Sequence, residues 1–125
     1  MHVYIGGAYN GKSDYVKKQL ALAGREMTWY DGELPPKGIS PIVVNNLHQW
    51  LAQFEGEEAE AIELWTERLS NRACIVILTD IGRGIVPMDA KSRAYRDRCG
   101  RLYQALIAQA EEVTQIWYGI AKKIL

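Results

Sequence analysis

Eight residues near the start of the chain, Gly6-Gly7-Ala8-Tyr9-Asn10-Gly11-Lys12-Ser13, fit the spacing G-x-x-x-x-G-K-[ST]. Each residue type suits one chemistry. Gly6, Gly7 and Gly11 carry no side chain where a backbone must approach a ligand closely and adopt unusual dihedrals. The loop N–H groups then face phosphate oxygens, and the positive end of a following helix adds to them. Lys12 would bridge the outer phosphates, and Ser13 would place its hydroxyl on Mg²⁺. The competing reading is an ordinary Gly/Asn-rich turn. The context favours a phosphate loop, because an apolar run, "HVYIGG", enters it and an amphipathic pattern from Lys12 leaves it.

A phosphate loop with a bound metal also calls for an acid at the end of a neighbouring strand. Two candidates stand in the sequence: Asp31 closes "MTWYD" and Asp80 closes "ACIVILTD". Each is equally a residue type that ends strands in turns. His48, in "VVNNLHQWL", has no nucleophile motif around it and reads as a helical residue near the core or surface; His2 reads as a strand-edge residue. Cys74 and Cys99 lie in an apolar run and on a helix, without metal spacing, and read as small core residues. Arg83, Arg93, Arg96 and Arg101 read as a solvated face paired with Asp89, Asp97 and nearby acids.

The elements that must position these groups alternate in type. "HVYIGG" is a strand. A helix from Lys12 puts Val16, Leu20 and Ala23 on one face and stops at Gly24. "EMTWYDG" is a second strand. "ELPPKGISP" is a loop, and Pro41 then opens a helix running to about Phe54. "EGEEAEAIELWTERLSN" is a helix that buries Ala61, Leu64, Trp65 and Leu69, with glutamates at its positive end. "ACIVILTD" is continuously apolar, as a strand covered on both faces must be. After the loop "IGRGIVP", a long helix from about Asp89 to Glu111 spaces Tyr95, Cys99, Leu102, Leu106 and Ala110 by three or four, and "VTQIWYGI" closes as a strand. This alternation predicts an α/β fold of the P-loop NTPase kind. It would be one domain over 1–125, with a mostly parallel sheet of about four or five strands flanked by helices.

Bulk properties narrow the partners. The 125 residues suit one domain, and a 48% hydrophobic content supports a real core. Lys and Arg total 15 against 15 Asp and Glu, which argues against nucleic acid held by bulk charge. No apolar run reaches membrane-spanning length and no signal-peptide pattern opens the chain, so the expected setting is the cytoplasm, away from membranes.

The C-terminal third carries a more specific pattern. Thr79-Asp80-Ile81-Gly82-Arg83-Gly84-Ile85-Val86-Pro87, then Arg93-Ala94-Tyr95-Arg96-Asp97, Gly100-Arg101-Leu102-Tyr103-Gln104 and Ala110-Glu111-Glu112-Val113 follow the glycine loop in order. Together they resemble the adenosylcobinamide kinase/adenosylcobinamide-phosphate guanylyltransferase family of corrinoid biosynthesis. That family carries GGA-x-S-GKS, N-E-V-G-x-GIVP, R-x-F-R-D-x-x-GR-x-N-Q and A-D-x-V motifs. This chain differs at Asn10, Asp80 and Tyr103, and passes from Gly24 to "EMTWYDG" without the family's segment bearing the histidine that accepts GMP.

The resemblance implies a nucleotide-dependent kinase acting on the aminopropanol hydroxyl of a corrinoid, with GTP or ATP as donor, Mg²⁺ as cofactor and Lys12 as the catalytic charge. Guanylyl transfer is expected to be missing, because its covalent acceptor is missing. If "MTWYDGEL" occupies the place of the family's "LLDCLT" strand, Asp31 is the metal-side acid beside the phosphate loop; otherwise Asp80 is. The resemblance further implies that Arg96 and Asp97 pair and, with Asp80, brace the GIVP loop. The resemblance also implies a homo-oligomer, for which Trp117 and Tyr118 in "TQIWYGI" offer an interface unless they are buried in the core. A non-catalytic nucleotide-binding partner or sensor, and a P-loop kinase or NTPase with another substrate, are the alternatives.

Overall fold

The computed structural model describes residues 1–8, 10–81 and 89–125. The chain runs β1 (His2–Gly6), α1 (Lys12–Leu22), β2 (Thr28–Asp31), β3 (Ile42–Asn45), α2 (Leu47–Gln53), α3 (Glu58–Leu69), β4 (Cys74–Thr79), α4 (Ala90–Ile107), β5 (Glu112–Trp117) and β6 (Ile120–Lys123). The six strands form one sheet in the order β2-β3-β4-β1-β5-β6. All pairings are parallel except β5 with β6, where Trp117 stands opposite Ile120. The α/β class and the flanked, mostly parallel sheet agree with the sequence reading. The sheet has six strands, more than the four or five expected, because β3 and β6 add to it.

Residues 41–54 are not one helix. Ile42, Val43 and Val44 are fully buried in β3, where β-branched side chains fit a pleated surface covered on both faces. Asn46 then takes a left-handed conformation (φ 56°), which ends the strand and opens α2 at Leu47. The second addition is β6. Tyr118 (φ 50°) and Gly119 (φ 75°) are both left-handed, the pattern of a two-residue hairpin turn, so "VTQIWYGI" folds back on itself rather than ending as one strand.

Both sheet faces are covered. Val3, Val44, Val76 and Leu78 pack with Leu47, Leu51, Trp65, Leu69, Cys99, Leu102 and Leu106 from α2, α3 and α4. Tyr4, Val43, Ile75, Ile77 and Ile116 pack on the other face with Val16 and Leu20 of α1. Helix α1 ends as expected. Gly24 is left-handed (φ 64°), and the Arg25 N–H reaches the Leu20 carbonyl at 2.9 Å across it. Ala23, read as part of the buried face, is exposed just past the helix end. Both cysteines are free and buried. Among the described residues no helix is long and apolar enough to cross a membrane.

Candidate phosphate-binding site

The glycine loop leaves β1 at the carboxyl edge of the sheet, where β3 and β4 also end. A cavity of about 610 Å³ opens there, lined by Ala8, Asn10, Gly11, Lys12, Ser13 and Asp14 from the loop and α1, by Asn45, Asn46, His48 and Gln49 from β3 and α2, and by Thr79 from β4. Open α/β sheets bind ligands outside the carboxyl ends of their strands. Tyr9 lies outside the described residues.

Two glycines have separate physical reasons. A Cβ on Gly6 would stand 2.3 Å from the Ile116 carbonyl oxygen, so this glycine lets β1 and β5 approach. Gly11 is left-handed (φ 77°) and caps α1, where a side chain would be strained. Lys12 is buried, and its ammonium donates to the Gly7 carbonyl at 2.7 Å. Burial lowers its pKa below the ordinary lysine value. Among the described residues the Gly7 carbonyl is its hydrogen-bond partner.

Ser13 is held from β3. The Asn45 side-chain amide donates to the Ser13 hydroxyl at 3.0 Å, and the Asn45 side-chain oxygen accepts the Asn46 N–H at 3.0 Å. The Asn46 amide in turn donates to an Asp31 carboxylate oxygen. Asp31 therefore does not end the strand beside the phosphate loop. It ends β2 at the sheet edge, with β3 and β4 between it and β1. The expectation failed because reading 41–54 as helix concealed β3, whose last residue, Asn45, holds the position next to Ser13.

Asp80 follows β4, directly beside β1, and its N–H donates to the Gly6 carbonyl at 2.9 Å. It lines a second cavity, of about 530 Å³, with Ile81, Arg96, Asp97, Arg101 and Tyr103. Arg96 Nε lies 3.7 Å from Asp97 Oδ1, while Arg101 pairs with Glu58 of α3. The loop that Asp80, Arg96 and Asp97 were expected to brace falls within residues 82–88, outside the described residues. Neither Asp31 nor Asp80 is among the residues lining the cavity beside the glycine loop, where Asp14 is the one carboxylate among the described residues.

His48 is the residue whose place sequence reasoning undervalued. It lies in the first turn of α2 and lines the same cavity as Lys12. Its Nδ1 is buried without a hydrogen-bond partner among the described residues, and its backbone carbonyl accepts the Tyr95 hydroxyl at 2.5 Å. Burial first, and the Lys12 charge second, lower its pKa below the usual histidine value. No local motif could have signalled this, because the approach depends on where β3 ends.

A mostly parallel sheet with a strand, glycine loop and helix at its carboxyl edge is the architecture of P-loop NTPase-like domains. Within that class, the profile of the cobinamide kinase / cobinamide phosphate guanyltransferase family matches residues 38–124, and the chain belongs to this family. The matched region leaves out the glycine loop. The chain is also 40% identical over 50 residues to the bifunctional adenosylcobalamin biosynthesis protein CobU of Salmonella typhimurium, a stretch covering 40% of this chain and 28% of that protein.

Proposed function

We propose that this chain binds the phosphates of GTP or ATP at residues 6–13 and transfers the terminal phosphoryl group to the hydroxyl of a cobinamide-type corrinoid, without guanylyl transfer. The observation carrying this reading is the convergence of Lys12, Ser13, Asn45 and His48 on one cavity at the carboxyl edge of the sheet. Family membership supplies the acceptor class.

In the transfer, the acceptor oxygen forms a bond to the terminal phosphorus while the bond to the bridging phosphate oxygen breaks. The acceptor's proton passes to a base, for which His48, held toward its neutral form by burial, is the imidazole lining the cavity. Lys12 exchanges its Gly7 carbonyl contact for phosphate oxygens and takes up charge as the phosphoryl group moves. Gly11 and the first turn of α1 present N–H groups to the phosphates. The Ser13 and Thr79 hydroxyls line the cavity and would be the protein oxygens for Mg²⁺, an ion that keeps several of its waters, while the Asn45 amide N–H holds the Ser13 hydroxyl in place. When bound, Mg²⁺ supplies positive charge against the phosphate oxygens.

A second reading, nucleotide binding without turnover, draws on Asn45: an amide stands on the Ser13 hydroxyl where a metal-side carboxylate is expected. One assay separates the two. Nucleotide turnover with and without adenosylcobinamide should show acceptor-dependent release of diphosphate product; tight binding with no turnover in either arm would leave the second reading standing.

A further inference from the structure

The β5–β6 turn is built against the phosphate loop. The Gly119 N–H donates to the Asn10 carbonyl at 2.9 Å, and a Cβ on Gly11 would lie only 3.7 Å from the Gly119 Cα. The two residues preceding Gly119 are large aromatics that the fold leaves in solvent: Trp117 is 60% exposed and Tyr118 75% exposed. Their rings stand 5.5 Å apart, tilted by 46°. Tyr118 holds the left-handed backbone (φ 50°) of the hairpin turn itself, directly before Gly119. Beside the pair, Gln115, Trp117, Ile120 and Lys122 line a recess of about 420 Å³ on one face of the hairpin. An aromatic π-face tied to a phosphate loop, with an amide and an ammonium at its rim, matches a molecule that joins phosphates to a planar heteroaromatic ring.

We infer that Trp117 and Tyr118 form the platform on which the base of the bound nucleotide stacks, with Gln115 and Lys122 placed to meet the base edge. This rests on residues 6–13 holding the phosphates. The hairpin turn then sets the relation between phosphate and base: Gly119 pins the turn to Asn10 and Gly11, and the neighbouring rings receive what extends beyond the phosphates.

The test compares GTP and ATP with inorganic tripolyphosphate, by calorimetry in Mg²⁺, for the unmodified chain, Lys12→Ala and the double variant Trp117→Ala/Tyr118→Asn. Asparagine tolerates the left-handed backbone, and both positions are exposed, so the fold should hold; Trp117→Ala alone provides a second variant with the turn untouched. Base–aromatic stacking predicts that the double variant loses at least about fivefold in nucleotide affinity while its tripolyphosphate affinity is unchanged. Lys12→Ala should weaken both ligands. Unchanged nucleotide affinity in the double variant, with Lys12-dependent tripolyphosphate binding intact, overturns the platform and leaves the phosphate loop standing. No Lys12-dependent binding of either ligand overturns both. A double variant that changes its sedimentation state while keeping full nucleotide affinity makes the pair an interface between copies of this chain and overturns the proposal.

Discussion

The Asn45 side-chain amide donates to the Ser13 hydroxyl at 3.0 Å, and this contact ties β3 to the first turn of the helix that follows the glycine loop. Through Asn46 the tie continues to Asp31 on the edge strand. Asn45→Ala removes two hydrogen bonds at once, the one to Ser13 and the one from the Asn46 N–H. The expected cost is about 1–2 kcal/mol, seen as a lower urea midpoint at an unchanged slope. An unchanged midpoint would mean that neither bond contributes in solution.

Lys12 should separate stability from binding. Its buried ammonium is desolvated and has one hydrogen-bond partner among the described residues, the Gly7 carbonyl at 2.7 Å. Lys12→Met keeps the stem and removes the charge, so the unfolding midpoint is expected to hold or rise. Loss of a charge-assisted phosphate contact costs roughly 1.5–3 kcal/mol, or more than about tenfold in affinity. A variant that binds Mg-nucleotide as the unmodified chain does would remove the phosphate-loop reading.

Gly6 and Gly7 should behave differently although both belong to the motif. A Cβ on Gly6 meets the Ile116 carbonyl at 2.3 Å, and backbone cannot yield there; a Cβ on Gly7 meets the Asn10 side-chain amide at 3.2 Å, which can turn away. Gly6→Ala is expected to destabilise by about 1–3 kcal/mol, the range of overpacking in a closed interior. Gly7→Ala should cost less. Thermal unfolding of the two variants side by side provides the check, and equal midpoints would contradict the steric account.

The loop and β4 were legible because their signals are local. Gly6 to Ser13 carry their chemistry in consecutive residues, and five of the six residues of β4 are buried, so the run reads as apolar throughout. Strand β3 was hidden because it is short and because Val43, Leu47 and Leu51 are spaced by four, which imitates a helix face continuing into α2. The hairpin was hidden because Tyr118 is a poor sequence marker for a left-handed turn. The Asn45–Ser13 contact joins residues 32 positions apart, and no spacing rule reaches that far. With β3 read as helix, Asp31 is placed one strand nearer the glycine loop than it lies.

His48 gives a pH dependence whose sign is fixed. Burial, then the Lys12 charge, lowers its pKa below the usual 6.5 in the folded state. The unfolded chain therefore binds more protons as pH falls through 6.5 toward the folded value, and stability declines over that window. His2 shifts in the same direction, chiefly by burial, and contributes its own share. His48→Gln should flatten, without abolishing, the loss of stability between about pH 7 and pH 5. Denaturant midpoints of the two proteins at matched pH values decide it; parallel curves would show that His48 titrates normally when folded.

The last prediction concerns the charge that would serve the proposed Mg²⁺. Three residues compete for the role. Asp31 lies at the sheet edge and reaches Ser13 only through Asn46 and Asn45. Asp80 stands at the end of β4 but lines the neighbouring cavity. Asn45 alone touches the Ser13 hydroxyl, and it carries no charge. A carboxylate of the same shape there would still accept the Asn46 N–H and would accept from the Ser13 hydroxyl. It would also place a negative charge beside the proposed ion, which an amide cannot. Asn45→Asp is therefore expected to lower the Mg²⁺ concentration needed for half-maximal nucleotide binding by at least about tenfold, equivalent to ~1.4 kcal/mol. Asp31→Asn and Asp80→Asn should move that concentration less. Titrating Mg²⁺ at fixed nucleotide against all three variants separates the possibilities. A large loss of Mg²⁺ response in Asp31→Asn would return the metal-side role to the edge strand through its Asn46 contact. The same loss in Asp80→Asn would place the ion between the two cavities, against β4. Either result, with Asn45→Asp indifferent, would mean that the contact on Ser13 only braces the loop.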